Sequence, residues 1–498
     1  MQVTSNFFIL FVIISLILYY IVPKRFQWVI LLAVSYLFYI MVNPAATFFI
    51  IYSTVVTYVC GRLVENPGNR KKTILVCGLI LDLGMLVFLK YTNFFIDNFN
   101  HISGVSIRPL QLILPLGISY YTFSTVGYIL DVYWGRNKAE HNFFKLALFV
   151  SFFPQILQGP IPRYERLVPQ FEEEHTFSLH CMKNGLIRIL WGLFKKALIA
   201  DWAVIFVEEI FSDMQGHSGL ILIGMILYAI QLYADFSGGI DMMIGVSSLF
   251  GVGLDENFRQ PYFARSLSDF WRRWHISLGS WMKDYVMYPL TLSRWMHQFG
   301  KKCKKIFGKK RGRLIPICLS NIIVFLLVGI WHGPAWRYVI WGLYNGVIIA
   351  LSSFFADDFT RIKRKLHIND QAAWYIAFMM IRTFLLVIIG YLSDLISTGG
   401  ELKTALQFAF TRFVPADLLT IPAGKLGVSY TPYALLTLLI CCVLLLTISI
   451  LLEKGVEVRK VMSGWPIAVQ FIVCMVVFIS IPLFGPLAIA RGFIYAQF

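Results

Sequence analysis

VFLLVGIWHGPAWRYVIWGLYNG, residues 324–346, is an apolar run interrupted at one point by a histidine, a glycine and a proline. Both flanks have the hydropathy of membrane helices, so the interruption is expected at membrane depth. A Gly-Pro turn there opens backbone that must be buried in protein or line a water-filled cavity. An ionisable side chain in such a place is costly and marks a site or a lined cavity. From the residues alone, His332 reads equally as a satisfied structural group and as a functional one.

The rest of the chain has the same character. Its 498 residues are 58% hydrophobic, 16% aromatic and 14% charged, far more apolar than a soluble globule. Apolar runs recur from residue 6 to residue 490 with no long polar linker between them. The expected fold is therefore all-α and polytopic, one membrane domain over residues 1–498 with roughly 11–13 transmembrane or re-entrant helices. They are expected near 5–22, 27–42, 44–60, 73–90, 110–134, 143–158, 183–211, 218–250 (broken at Gly238-Gly239), 315–331, 336–356, 372–396, 434–452 and 465–482. The first run, NFFILFVIISLILYYIV (6–22), lacks a basic leader and a small-residue cleavage site, so it reads as a span.

A net charge of +17 raises the question of a nucleic-acid partner, but the basic residues cluster in short connections, where retention of Lys and Arg on the cytoplasmic side accounts for them. Lys24-Arg25, GRLVENPGNRKK (61–72), KKCKKIFGKKRGR (301–313), RIKRK (361–365) and EKGVEVRK (453–460) are these connections. Span parity then puts both termini outside a plasma membrane, and anionic lipid heads are the expected surface partner. The eight cysteines lie mostly in apolar segments without C-x-x-C spacing, which speaks against disulfides and against a zinc or other metal site.

ENFRQPYFARSLSDFWRRWHISLGSWMKDYVMYPL (256–290) is neither span nor ordinary loop. A helix starting near Ser266 puts Trp271, His275, Leu278 and Met282 on one face and Arg272, Arg273 and Lys283 elsewhere, as suits a cytoplasmic helix at the headgroup boundary followed by a basic loop to residue 314. An interfacial aromatic belt accounts for its tryptophans on pattern alone. Arg272-Arg273 fits donor phosphates or lipid heads equally. Asp235 and Asp241 flank FSGGI, where a broken helix would expose backbone, so a transporter or flippase that moves protons or substrate stays open as a reading. No G-x-S-x-G, H-E-x-x-H or P-loop pattern occurs in the chain.

Five stretches together carry a resemblance: 113–135, 152–171 (FFPQILQGPIPRYERLVPQF), 233–251, 256–286 with its FWRRWH, and 329–346 with its WHG. They resemble the membrane-bound O-acyltransferase family, and within it the alginate O-acetyltransferase membrane subunits of bacteria. The resemblance implies a helical bundle around a tunnel, in which an acyl group passes from a cytoplasmic thioester, acetyl-CoA or an acyl carrier, to an extracytoplasmic polysaccharide. It implies catalytic roles for His332 and His275, the latter near the cytoplasmic mouth. It also implies an outer transferase partner of the SGNH hydrolase type. Two departures from the family pattern stand out, YPLTLS at 288–293 and Tyr344-Asn345 within WGLYNG. Neither touches a histidine. D-alanyl transfer from a carrier protein to teichoic acid is the alternative within the family.

The resemblance extends to the last residues, RGFIYAQF (491–498), where Phe493, Tyr495 and Phe498 match an aromatic motif whose tyrosine is an acyl relay. About nine extended residues beyond Pro486 cover about 30 Å, against about 15 Å for half the hydrocarbon core. A tail entering from outside therefore has the length to reach mid-membrane. The competing reading makes Phe493, Tyr495 and Phe498 an interfacial anchor or a partner-docking motif. For the chemistry, a neutral His332 would take the hydroxyl proton of the acceptor, with Trp336 and Asn345 as candidate neighbours.

Overall fold

The computed structural model describes residues 5–66, 68, 70–396, 398–424, 427–486 and 492–493. Its described elements are helices, as an apolar chain in lipid requires, because a helix satisfies its own backbone polar groups. Among the described residues eight helices are long and apolar enough to cross a membrane, or nine if the bent pair Trp336–Phe354 and Ala356–Lys365 counts as one span. Asn6–Ile21 and Phe143–Gln158 are shorter apolar helices. Many side chains on these helices are apolar yet exposed: in Ile467–Phe484 only Gln470 is buried. Such a face belongs in lipid.

The chain divides into two compact units. The first is built from the described residues of Met1–Leu193, Gly239–Glu256 and Gly492–Phe498. It contains α1 (Asn6–Ile21), α2 (Gln27–Val42), α3 (Thr47–Glu65), α4 (Lys71–Ser103), α5 (Ile118–Tyr133), α6 (Phe143–Ser151), α7 (Phe153–Gln158), α8 (Tyr164–Glu172) and most of α9 (Leu179–Phe194). Its core is aromatic, with Phe11, Phe38, Phe153 and Phe250 in edge and tilted ring contacts. All six residues of α7 are buried, so this short helix is interior rather than spanning.

The second unit takes Phe194–Gly238 and Asn257–Arg491. It contains α10 (Asp201–Ser212), the first part of α11 (Ile221–Leu249), α12 (Leu267–Arg273), α13 (Ile276–Met282), α14 (Tyr288–Leu292), α15 (Arg294–His332), α16 (Trp336–Phe354), α17 (Ala356–Lys365), α18 (Ala373–Leu395), α19 (Gly399–Thr411), α20 (Thr431–Glu453), α21 (Val458–Ser463) and α22 (Ile467–Phe484).

Three expectations about local structure are corrected. α11 runs unbroken through Gly238-Gly239. Its glycines serve close packing instead: a Cβ on Gly239 would stand 1.6 Å from Gln158 Oε1, and one on Gly245 would stand 2.7 Å from the Gly185 carbonyl oxygen. The basic run 301–313 is helical, the first half of α15, with its one irregular residue at Gly308 (φ 77°). Spaced lysines in a run without Pro form helix readily, and Ser293 caps its start by accepting from the Met296 backbone N–H. The helix at Ser266 begins as expected, the Ser266 hydroxyl accepting from the Asp269 N–H, but it stops at Arg273 and a new one begins at Ile276. Trp271 and His275 are therefore not on one continuous face.

Candidate active site

His332 is the last residue of α15, placed by a helical hairpin whose arms approach closely. Three glycines permit that approach. A Cβ on Gly342 would meet the Phe325 carbonyl oxygen at 2.4 Å, one on Gly329 the Tyr338 carbonyl oxygen at 2.3 Å, and one on Gly346 the Ile322 Cα at 2.9 Å. Small residues four apart are how helices pack in a membrane. The turn Gly333-Pro334-Ala335 then reverses the chain, and the Tyr338 ring covers Gly333 so closely that a Cβ there would lie 2.5 Å from it. The imidazole of His332, 8% exposed, has three aromatic neighbours. Tyr338 stacks on it (6.2 Å, 23°), Trp341 meets it edge-on (4.8 Å) and Trp331 lies at 5.1 Å.

His275 occupies the break between α12 and α13, with φ 47° and ψ 55°. A non-glycine residue in the left-handed region is strained and persists only where its surroundings fix it. Asn257 does the fixing. Its Oδ1 accepts from the Ser277 backbone N–H and hydroxyl, both at 2.9 Å, and faces His275 Nδ1 at 3.3 Å. Because the Ser277 N–H can only donate, the atom facing it is the amide oxygen, and Nδ1 of His275 must then carry the proton. The other ring nitrogen, Nε2, is left as the basic one. The ring packs edge-on against Phe236 (5.0 Å) and lies 6.0 Å from Trp331. Burial, with the charge of His332 adding to it, pushes His275 down to about 3, so it is neutral at pH 7. The two histidines thus share Trp331 as a common wall, in surroundings that disfavour a charged imidazole at position 275.

The remaining candidates separate. Asn345 is buried and accepts from Trp271 Nε1 at 3.1 Å. Trp271 packs on Trp341 (5.4 Å), which puts Asn345 behind the wall of His332. Trp336 is 60% exposed. The belt reading of the tryptophans is corrected, since Trp274 and Trp281 are 2% and 5% exposed; they pack inside protein. Arg272 is open to solvent, its nearest carboxylate Asp269 at 3.4 Å. Arg273 joins Asp269 (3.3 Å) and Glu453 (2.7 Å), tying α12 to α20. Phe493 is buried in the aromatic core of the first unit, its ring close to Gly239. Tyr495 and Phe498 lie outside the described residues.

Asp235 and Asp241 are both paired: Asp235 with Lys196 at 2.8 Å and Asp241 with Arg188 at 2.8 Å. Lys196 also holds Asp201 at 2.9 Å, and Lys195 donates to Ser237 at 2.8 Å. The carboxylates Asp235 and Asp241 stand out in the sequence, whereas their partners Lys196 and Arg188, and Asn257, do not. The signal for the pairing is the adjacent lysines inside the apolar run 183–211, because charges in a span need partners.

Two buried imidazoles thus face one tryptophan among helices apolar enough to cross a membrane, the class of an integral membrane protein. Comparison with known proteins gives the particular family. The profile of the membrane-bound O-acyltransferase family matches residues 136–302. The chain is 34% identical to a probable alginate O-acetylase of Pseudomonas aeruginosa over 78% of its own length and 71% of that protein. It is 33% identical to a peptidoglycan O-acetyltransferase of Helicobacter pylori over 71% of its length and 69% of the relative. It is also 34% identical to a teichoic acid D-alanyltransferase of Bacillus subtilis, over 50% of its length and 61% of the relative. The chain belongs to the membrane-bound O-acyltransferase family and is a multi-pass membrane acyltransferase.

Proposed function

We propose that the protein moves an acetyl group from a cytoplasmic thioester, acetyl-CoA or a carrier-bound equivalent, across the plasma membrane toward a cell-surface polysaccharide. The observation that carries the chemistry is the walling of His332 and His275 by one tryptophan, Trp331. His332 takes the proton of the attacking hydroxyl as its oxygen bonds to the acetyl carbon. The carbon–sulfur bond breaks, and the proton returns to the thiolate sulfur, leaving an ester and a free thiol. His275, proton on Nδ1, offers Nε2 toward the same chemistry. The surrounding rings keep out water that would hydrolyse the thioester.

In this reading Arg272 meets a donor phosphate from the cytoplasmic side by direct contact, and Arg273 supports it by bracing α12 against α20. The receiving hydroxyl is that of Tyr495, a relay to an outer SGNH-type transferase, with Phe493 and Phe498 seating the tail. Burial of Phe493 supports this reading over a lipid-facing anchor. Both termini lie outside in this topology. Acetyl rather than D-alanyl transfer is favoured because the relatives named for O-acetyl transfer match 71% or more of the chain, against half for the D-alanyltransferase of Bacillus subtilis.

The test is incubation of purified protein in lipid with radiolabelled acetyl-CoA. Thiol release with label on the protein is expected from the unmodified chain, and Tyr495→Phe should abolish label transfer to polysaccharide while leaving the protein inserted. Substrate movement without thioester consumption would make the protein a transporter.

A further inference from the structure

The first unit carries a carboxyl group that the chemistry above does not use. Asp82 lies on α4, one of the helices long and apolar enough to cross a membrane, and is completely buried. Hydroxyls from two neighbouring helices close on it. Ser53 Oγ of α3 donates to Asp82 Oδ1 at 2.7 Å, Thr57 Oγ1 one turn further donates to Oδ2 at 3.2 Å, and the Thr125 hydroxyl of α5 meets the same carboxyl group. Ser53, Thr57 and Thr125 are themselves fully buried.

Hydrogen bonds satisfy the carboxyl oxygens, but they do not cancel a charge. The titratable groups facing Asp82 are Cys60 of α3 and Tyr121 of α5, both acids, so neither brings a positive charge. No lysine, arginine or histidine among the described residues pairs with it. Lys90, the next basic residue along α4, is about 12 Å away by helical rise and donates to Ser119 instead. A carboxylate isolated in a membrane bundle takes up a cation rather than stay bare.

Thr125 gives the same answer from hydrogen bonding alone. A hydroxyl has one proton to give, and Thr125 gives its own to the Thr122 carbonyl at 2.9 Å. Toward Asp82 it therefore presents an oxygen lone pair. Two oxygens that face each other in this way need a proton or a metal ion between them.

We infer that Asp82, with Ser53, Thr57 and Thr125, is a binding site for one monovalent cation, a proton or Na+. Oxygen-only ligands of this kind suit a small hard cation. The proton is the occupant the packing favours, because the direct 2.7 Å contact between Ser53 and Asp82 leaves no gap for a metal ion between them. Taken up from water, the proton forms an O–H bond on the carboxyl group, which then donates to Thr125 and still accepts from Ser53 and Thr57. No charge remains, and α3, α4 and α5 are joined through one neutral group. Loading of this site is thus a condition of close packing in the first unit. It does not depend on the proposed acyl transfer.

The experiment uses the full chain in lipid nanodiscs beside Asp82→Asn, a neutral substitution of the same shape. Infrared difference spectra between the two should show the C=O stretch of a neutral carboxyl group in the unmodified chain and its loss in the variant. A second arm follows the unfolding temperature as NaCl replaces choline chloride at constant ionic strength. A rise with each roughly tenfold step in Na+, abolished by Asp82→Asn, assigns the site to Na+ instead of the proton. With neither the band nor the Na+ dependence, the carboxylate stands ionised and alone, and the inference is overturned. Should Asp82→Asn fail to accumulate, Thr125→Val removes the acceptor of the carboxyl O–H, and the band should move to higher frequency. An unmoved band without Na+ dependence overturns the assignment to Asp82.

Discussion

His332 and His275 stand against the same tryptophan but are held by opposite means. His332 ends α15, whose stretch after the kink at Gly308 packs through glycines on its partner helix, so its position follows from long-range helix packing. His275 sits between two helices of seven residues each, in a left-handed backbone conformation stabilised by a single asparagine. The first arrangement is stiff and tolerant of local change, provided the glycines stay small. The second depends on a few hydrogen bonds. A site built from one of each can be broken by steric means on one side and by polar means on the other.

The largest expected effect is at the stiff side. His332→Ala removes the base from an intact hairpin, and acetyl transfer should fall by roughly 100- to 10,000-fold with normal membrane insertion. Near-normal turnover of thioester by this variant would remove His332 from its role. Gly342→Leu attacks the same side through packing. Its side chain would meet the Phe325 carbonyl oxygen, and a loss of about 1–3 kcal/mol or more should appear as a lower unfolding temperature in detergent. If the variant unfolds like the unmodified chain, the hairpin is not glycine-packed.

On the polar side, Asn257→Ala leaves the Ser277 N–H and His275 Nδ1 without their acceptor, at a cost of about 1–3 kcal/mol. Activity should fall with it, because the His275 tautomer is no longer fixed, whereas Asn257→Asp should restore much of it by supplying the same acceptor oxygen. Equal loss in both variants would count against tautomer control.

A pH scan sharpens the comparison further. An imidazole that is ordinarily half-protonated near pH 6.5 and is held neutral down to about 3 in the fold binds its proton more readily when unfolded. Its contribution to stability is therefore full above about pH 6.5 and is lost as pH falls toward 3. His275→Gln should flatten the acid side of a stability curve measured between pH 7.5 and 4.5. The smallest effect is expected at Arg273. Glu453→Gln should lower stability by about 1 kcal/mol or less, since both partners reach solvent.

The membrane class, most spans and the place of His332 were legible because hydropathy and the Gly-Pro turn are local signals. Ser266 as a helix cap was legible for the same reason. The break at His275 was not, since it depends on Asn257, 18 positions away. The continuity of α11 through Gly238-Gly239 was hidden because glycine breaks a helix in isolation but admits a neighbour when packed, and only the fold shows Gln158 lying over Gly239. Phe493 likewise reads as an anchor until the core that receives it is seen.

The ion network around Lys196 has a consequence for how the protein is made. Its carboxylate partner Asp235 follows 39 residues later in the chain. At a synthesis rate of roughly 5–20 residues per second, the lysine leaves the ribosome about two to eight seconds before this second counter-charge exists, while Asp201 follows it almost at once. During that interval Lys196 has Asp201 as its counter-charge but not yet Asp235. Completion of the network, though not its first ion pair, therefore waits for the arrival of α11.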